Sequence, residues 1–298
     1  MTITTGPNWE LRLGDCIEGI RTLADSSVDV VITDPPYEAE AHEKGKRQGK
    51  ASGKGKEERG KPYTRVVDES FDFAPITQAQ RLEVSKQFGR VARVGAVVFC
   101  QVEAVGTWRD ALEQGGLVYR RTLPWVKPDA MPSLHGRWPG QAMEAIVLAL
   151  RPGTTVPIGG KARYYSHTRE RGDARAHDTA KPIRLMRELI DDFSRPGETV
   201  LDVFAGSGTT GVACVQGKRR FLGWELAPCA RCKQTATAEC FWTVGGEPKR
   251  AFLCDTHGAQ VSGEPGFRFV AGNMFDIACR RLRGDEAKPN PAQPSLFG

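Results

Sequence analysis

The stretch TVLDVFAGSGTTG, residues 199–211, decides what kind of sheet this chain builds. Thr199 to Phe204 are mostly apolar or β-branched, as in a strand buried on both faces. The run stops at Ala205-Gly206-Ser207-Gly208, where small residues allow a sharp turn and close approach of a ligand to the backbone. A helix is expected from about Thr209, and RFLGWEL (220–226) reads as the next strand. Strand, glycine turn, helix and strand predict a parallel α/β sheet whose turn lies at the C-terminal edge, where open α/β folds bind ligands.

The turn lacks the Gly-Lys-Ser/Thr ending of a P-loop, which disfavours nucleoside triphosphates. Glu225 ends the following strand and is placed to accept hydrogen bonds from ribose hydroxyls, which favours an adenosyl cofactor. A tight connection without a ligand is the plain alternative.

Working outward, ELRLGD (10–15) reads as a short strand, IEGIRTL has helical spacing, and VDVVIT (28–33) is a buried-type strand. A helix is expected from Thr77 to about Arg93, then strand AVVFCQ, helix VGTWRDALEQ closed by Gly115-Gly116, and strands within LVYRRTLPWVK and AIVLAL. The amphipathic IRLMRELIDDF is expected to be capped by Thr179, with Pro182 in its first turn. This alternation predicts a doubly wound, mostly parallel sheet with helices on both faces. There is no internal repeat, and the Pro-rich GDEAKPNPAQPSLFG is expected to be disordered.

The strand VVIT runs into Asp34-Pro35-Pro36-Tyr37. Prolines fix φ and carry no N–H, so their carbonyls can face a ligand. A carboxylate beside a proline carbonyl makes two acceptors suited to a planar amino group, and Tyr37 offers a face on which a base stacks. Taken alone, the segment is also compatible with a proline-terminated strand and Asp as a turn residue.

Composition sets the setting. The chain has 298 residues, 40% hydrophobic and 26% charged, with a net charge of +6 and eight cysteines. The N-terminus has no secretory-type stretch, and AIVLAL, the longest apolar run, is too short to span a bilayer, so a soluble cytoplasmic protein with no membrane partner is expected. Between Lys44 and Arg65 there are nine Lys or Arg against two Glu, leaving 33 basic and 34 acidic residues elsewhere. The positive excess therefore sits in the segment after Tyr37, including Lys44, Lys46, Arg47, Lys50, Lys54 and Lys56, and argues for a polyanion held there. A solvated linker is the bland reading.

TDPPY together with DVFAGSGTT resembles the amino-group DNA methyltransferases that use S-adenosylmethionine. With DPPY upstream of FAGSGTT, the order is similar to that of the permuted β class, and LRLGDCIEGIRTLADSSVDVVITDPPY, WVKP, EAIVLAL and HDTAKPIRLMRELI fall in the family's order. The resemblance implies a Rossmann-like methyltransferase fold with circularly permuted motif order. It implies that Asp202, Phe204, Gly206, Gly208 and Thr209 line the cofactor site, that Glu225 takes the ribose hydroxyls and that Asp15 meets the adenine amino group. Thr179 and Lys181 would hold the methionine carboxylate, and Asp34, Pro35, Pro36 and Tyr37 would receive a base flipped from double-stranded DNA. Methylation would then occur by direct in-line displacement, without a cysteine nucleophile, leaving Cys16, Cys100 and Cys214 as plain buried residues. Asp in DPPY accompanies adenine N6 more often than cytosine N4, where Ser is common, so adenine is preferred and cytosine is the alternative. A catalytically inactive DNA-binding protein of the same fold is the reading from another class.

The resemblance also implies an organisation. Residues 1–225 would form the methyltransferase domain, with a flexible basic loop at 38–66 and a DNA-recognition region at about 131–177. That region supplies Arg137, Arg163, Arg169, Arg171 and Arg175 for phosphates or guanine edges, without the sequence deciding between them. Residues 226–266 form an insert in which Cys229-x2-Cys232 and Cys254-x2-His257 have the spacing of a structural zinc site, with Cys240 as a spare, against unliganded thiols as the alternative. Residues 267–284 would return to the main domain and 285–298 form the tail. In it Gln293, Leu296 and Phe297 resemble the short peptide by which bacterial DNA-processing proteins bind the replication sliding clamp, on few residues.

If the basic segment embraces phosphates, deleting residues 44–61 weakens DNA binding and flattens its salt dependence while leaving cofactor affinity intact. A binding titration over a salt series checks this; an unchanged slope would contradict it.

Overall fold

VDVVIT and MEAIVLAL alternate the direction of apolar side chains at every step, so each strand carries buried residues for both faces of a sheet. The computed structural model describes residues 2–37, 75–130, 132, 137, 139–168, 181–225, 238–244, 247–253, 268–271 and 274–284. Its main sheet comprises β1 (Thr2–Gly6), β2 (Trp9–Leu13), β3 (Val28–Thr33), β4 (Ala92–Cys100), β5 (Val118–Val126), β6 (Met143–Leu150), β7 (Tyr165–Ser166), β8 (Thr199–Asp202) and β9 (Arg220–Glu225). The spatial order is β1-β2-β9-β8-β3-β4-β6-β5-β7.

Five adjacent strands, β2, β9, β8, β3 and β4, run parallel. Beyond them β6 enters antiparallel between β4 and β5, and β7 joins parallel to β5. The antiparallel β6 qualifies the expected parallel sheet, because an apolar run such as AIVLAL carries no mark of its direction. The edge strand β1, antiparallel to β2, was not expected: it is short and Thr-rich, and its Ile3 is exposed.

One face is covered by α1 (Cys16–Arg21), α2 (Gln78–Val91) and α3 (Val105–Gln114). Ile20, Phe88 and Trp108 pack there against Val31, Val98, Val147 and Leu201. The opposite face is covered by α4 (Ile183–Phe193), α5 (Thr209–Gln216) and α6 (Met274–Arg283). Leu185, Leu189, Ala213 and Leu282 meet Val30, Ile32, Val97, Ile146 and Leu148 there. Thr77 begins α2 with a capping box closed by Gln80.

The expected cap of α4 needs correcting. The helix starts at Ile183 with extended Pro182 at its N-cap and without a side-chain cap, so the N-cap position is Pro182 and not Thr179. Proline disfavours helical backbone at the residue before it, which keeps Lys181 out of the helix as well.

From β8 the chain crosses through α5 to β9 on one side, whereas from β3 it goes on to β4 on the other. The C-terminal ends of β8 and β3 therefore form the switch point at which doubly wound sheets bind ligands. A separate antiparallel sheet, β11-β10-β12, is made by β10 (Ala238–Val244), β11 (Glu247–Leu253) and β12 (Arg268–Ala271).

The register of β3 against β4 shifts between Val28 and Val30, and Gly95 pairs with Val30 just past this irregularity. A Cβ at Gly95 would lie 2.3 Å from the Ala149 carbonyl oxygen on β6. Gly95→Ala is expected to lower unfolding free energy by roughly 1–3 kcal/mol, as for overpacking generally. Gly106→Ala on α3, with nothing within 4 Å of the new methyl, is expected to be neutral or to stabilise by up to about 1 kcal/mol. Urea unfolding of both variants checks the contrast.

Candidate functional site

The glycine turn after β8 takes its shape from two residues with positive φ, Gly206 at 52° and Gly208 at 78°. The Ala205 N–H donates to the Trp224 carbonyl at 2.9 Å, and the Gly206 N–H donates to Glu225 Oε2 at 2.6 Å. These bonds clamp the turn to the end of β9. Among the described residues, apart from its chain neighbours, no heavy atom lies within 4 Å of where a Gly206 Cβ would be, so the backbone there faces open space beside the Glu225 carboxyl. At Gly208 a Cβ would meet that of Ala278 on α6 at 2.8 Å, so this glycine is required by packing. From α6, Arg281 Nη1 donates to the Ser207 carbonyl at 2.8 Å and approaches Thr209 Oγ1 at 3.1 Å, closing the turn from the far side.

Asp202 ties this turn to the next strand. Its Oδ1 accepts from Thr33 Oγ1 on β3 at 2.6 Å and from the Phe204 N–H at 3.1 Å, while Oδ2 accepts from Thr210 Oγ1 on α5 at 2.6 Å. Burial pushes its carboxyl up to about 6 despite these three donors. Thr33 immediately precedes the Asp34-Pro35-Pro36-Tyr37 corner. The two corners, 165 or more residues apart in sequence, are thus neighbours on one rim of one sheet.

At the proline corner the polar groups form a chain. Asp34 Oδ2 accepts from Lys181 Nζ, whose side chain is 7% exposed. The same ammonium is 3.4 Å from Glu144 Oε2, and Glu144 Oε1 accepts from Lys127 Nζ at 2.5 Å. The Tyr37 hydroxyl is hydrogen-bonded to Glu144. Lys181 Nζ also lies 5.2 Å from the Phe99 ring centre, 5.6 Å from that of Tyr37 and 5.9 Å from that of Trp125, within the range of cation–π attraction. Burial opposes the charge on Lys181, but Asp34 and Glu144 outweigh it and hold the ammonium protonated well above the usual range. Burial likewise raises Asp34, against the pull of Lys181, whereas in Glu144 the two lysines prevail and lower the carboxyl.

Among the residues expected at a site, Asp34, Pro35, Pro36, Tyr37, Asp202, Phe204, Gly206, Gly208, Thr209 and Glu225 lie along these two corners. Asp15 caps α1 through Oδ1, which accepts from the Ile17 and Glu18 N–H groups at 2.7 and 3.2 Å. Lys181, expected at a cofactor carboxylate, has its ammonium on Asp34 instead. Arg163, expected at DNA, is held by Asp192 at 2.6 Å and Glu188 at 3.2 Å and lies over the Tyr165 ring. Thr179, the basic segment from Lys44 to Lys56, the zinc candidates Cys229, Cys232, Cys254 and His257, and the tail residues Gln293, Leu296 and Phe297 lie outside the described residues.

Sequence reading missed Thr33, Lys127, Glu144 and Arg281. Thr33 and Glu144 carried a usable signal, being polar residues at the ends of strands otherwise built of buried apolar side chains. Among the described residues no group of His, Cys, Asp and Glu could hold a metal, and no helix is long and apolar enough to cross a membrane.

The open backbone at Gly206 beside an acceptor at Glu225 fits the ribose end of an adenosyl group. At the proline corner, Asp34 Oδ1 is a buried acceptor without a hydrogen-bond partner. The model of a DNA methylase family, the N6/N4 methylases, matches residues 28–231. A putative methylase, YubD, of Escherichia coli K12 is 28% identical over 223 residues, covering 72% of this chain and 82% of that protein. The type II methyltransferase M.Cfr9I of Citrobacter freundii is 32% identical over 135 residues, covering 41% of this chain and 45% of that protein. The solved structure of the M1.HpyAVI–SAM complex aligns with 73% of this chain and 93% of its own at 26% identity and a TM-score of 0.51. The cytosine-N4-specific PvuII DNA methyltransferase aligns with 94% of both chains at 16% identity and a TM-score of 0.55, a likeness of fold alone.

Glu225 yields a test independent of any ligand. Burial pushes this half-buried carboxyl from 4.5 up to about 8, against the Gly206 N–H, which lowers it. Between those values the unfolded chain releases the proton and the folded chain keeps it, so this group's contribution to stability falls as pH rises through the window. Glu225→Gln is expected to make the decline in melting temperature between about pH 5 and 8 shallower than in the wild type. Parallel melting curves for the two proteins would contradict this.

Proposed function

The chain belongs to the N6/N4 DNA methylase family, and from that membership we propose that it transfers a methyl group from S-adenosylmethionine to the exocyclic N6 of adenine in double-stranded DNA. The observation that carries the reading is the Thr33–Asp202 hydrogen bond of 2.6 Å, which sets the Asp34 corner beside the glycine turn. The cofactor assignment draws support from the M1.HpyAVI–SAM complex, whose fold and part of whose sequence this chain shares.

When bound, S-adenosylmethionine supplies a methyl group on a sulfonium, already a good leaving group. Glu225 accepts from the ribose hydroxyls, Gly206 admits the ligand to the backbone, and Asp15 offers the oxygen not used in capping to the adenine amino group. An exocyclic amine is a poor nucleophile because its lone pair is delocalised into the ring. Asp34 and the Pro35 carbonyl accept its two N–H bonds and so favour a pyramidal nitrogen whose lone pair is free to attack. The base must leave the duplex to reach this corner, and Tyr37 provides its stacking face. Alignment and fixed dipoles then carry the reaction. Adenine is preferred to cytosine on the Asp of DPPY; cytosine N4 offers the same donors and is the second reading.

The accessory segments fit the same reading. The basic residues between Lys44 and Lys56 are proposed to contact phosphates flanking the flipped base. The β10–β11 hairpin, which pairs Ala238 with Leu253, lies in the chain between Cys229-x2-Cys232 and Cys254-x2-His257, an arrangement that supports a structural zinc site. The tail is proposed to engage the sliding clamp through Gln293, Leu296 and Phe297.

Unmethylated genomic DNA incubated with protein and cofactor, then digested to nucleosides for mass spectrometry, is expected to contain N6-methyldeoxyadenosine. Asp34→Ala is expected to lower the yield by roughly 10²–10³-fold or more, with calorimetric cofactor affinity retained. N4-methyldeoxycytidine alone would transfer the assignment to cytosine, and the absence of both products would overturn the reading.

A further inference from the structure

The methylation reading asks Asp34 to act as an acceptor, and the structure already commits half of it. Oδ2 is bonded to Lys181 Nζ, while Oδ1 is buried without a hydrogen-bond partner. Resting on that reading, we propose that Lys181 is a built-in counter-ion that holds Oδ2 so that Oδ1 receives the target amine, and that Glu144, backed by Lys127, keeps the ammonium in place.

A carboxylate at a poorly hydrated corner tends to take up a proton, and a carboxylic acid there would present a donor to the amine where an acceptor is required. The charged and titratable groups that act on Asp34 are Lys181, Glu144, Lys127, Tyr37 and Asp202. Of these Lys181 makes the one direct contact that favours the ionised form. A buried ammonium is itself costly unless it is paired. Here it is met by Asp34, by Glu144 Oε2 at 3.4 Å and by the faces of Phe99, Tyr37 and Trp125. Lys127 balances the second carboxylate at 2.5 Å, so two acids and two bases close the set. Lys181 is on this account a positioning residue, acting on the amine through Asp34.

The test is the pH profile of methylation of unmethylated genomic DNA by wild type, Lys181→Met, Lys181→Arg and Glu144→Gln, with calorimetric S-adenosylmethionine affinity measured for each. Lys181→Met is expected to move the acid limb of kcat upward by roughly one to three pH units, and Lys181→Arg to restore much of it. Glu144→Gln removes a like charge from beside Asp34 and is expected to move the limb the other way. If Lys181→Met does not fold, Lys181→Gln takes its place, and an acid limb unmoved from the wild type in that variant overturns the inference.

A uniform loss of activity with an unmoved acid limb in these variants would overturn the inference. So would a loss of cofactor affinity in Lys181→Met with an unchanged profile, which would make the lysine a cofactor ligand. Wild-type protein that methylates neither base would instead overturn the reading on which the inference rests.

Discussion

A single buried carboxylate sets the geometry on which the whole site depends. Asp202 divides its two oxygens between Thr33 on the neighbouring strand and Thr210 on the helix that follows the glycine turn, with the Phe204 N–H as a third donor. A buried carboxyl left without donors would be strongly penalised, so the three bonds fix the ends of β3 and β8 and the start of α5 against one another. Once Thr33 is placed, the rigid Asp34-Pro35-Pro36 corner follows it on the same rim. Gly206 and Glu225 are placed by the same turn. One small polar cluster thus brings two distant stretches of sequence together on one rim of the sheet.

Around it the charges are sorted by environment. Asp202 and Glu225, beside the glycine turn, have backbone and hydroxyl donors, and burial raises both. Asp34 and Glu144, at the proline corner, share Lys181, with Lys127 on the other oxygen of Glu144, and Glu144 is lowered as a result.

Much of this was legible in the sequence because the signals were local. TVLDVFAGSGTTG carries its strand, turn and helix in one continuous run, and TDPPY carries its rigidity in two prolines. The positive φ values of Gly206 and Gly208 are what such a turn demands. What could not be read was non-local. The direction of β6 depends on a crossover and not on the composition of AIVLAL. Glu144 and Lys127 acquire meaning only when β5 and β6 pair, setting Val126, next to Lys127, opposite Met143, next to Glu144. Arg163 looked like a free cation until α4 supplied Asp192 and Glu188. The onset of α4 was misplaced because Thr179 has the chemistry of a cap while Pro182 has the backbone of one.

The central claim is that the base-binding and cofactor-binding corners share one cleft. A crystal structure of the protein with S-adenosylmethionine tests it most directly. The account predicts the ribose hydroxyls on Glu225 and the sulfonium methyl turned toward the space in front of Asp34 and Pro35. A cofactor bound elsewhere on the sheet, or one whose methyl points away from Asp34, would contradict it.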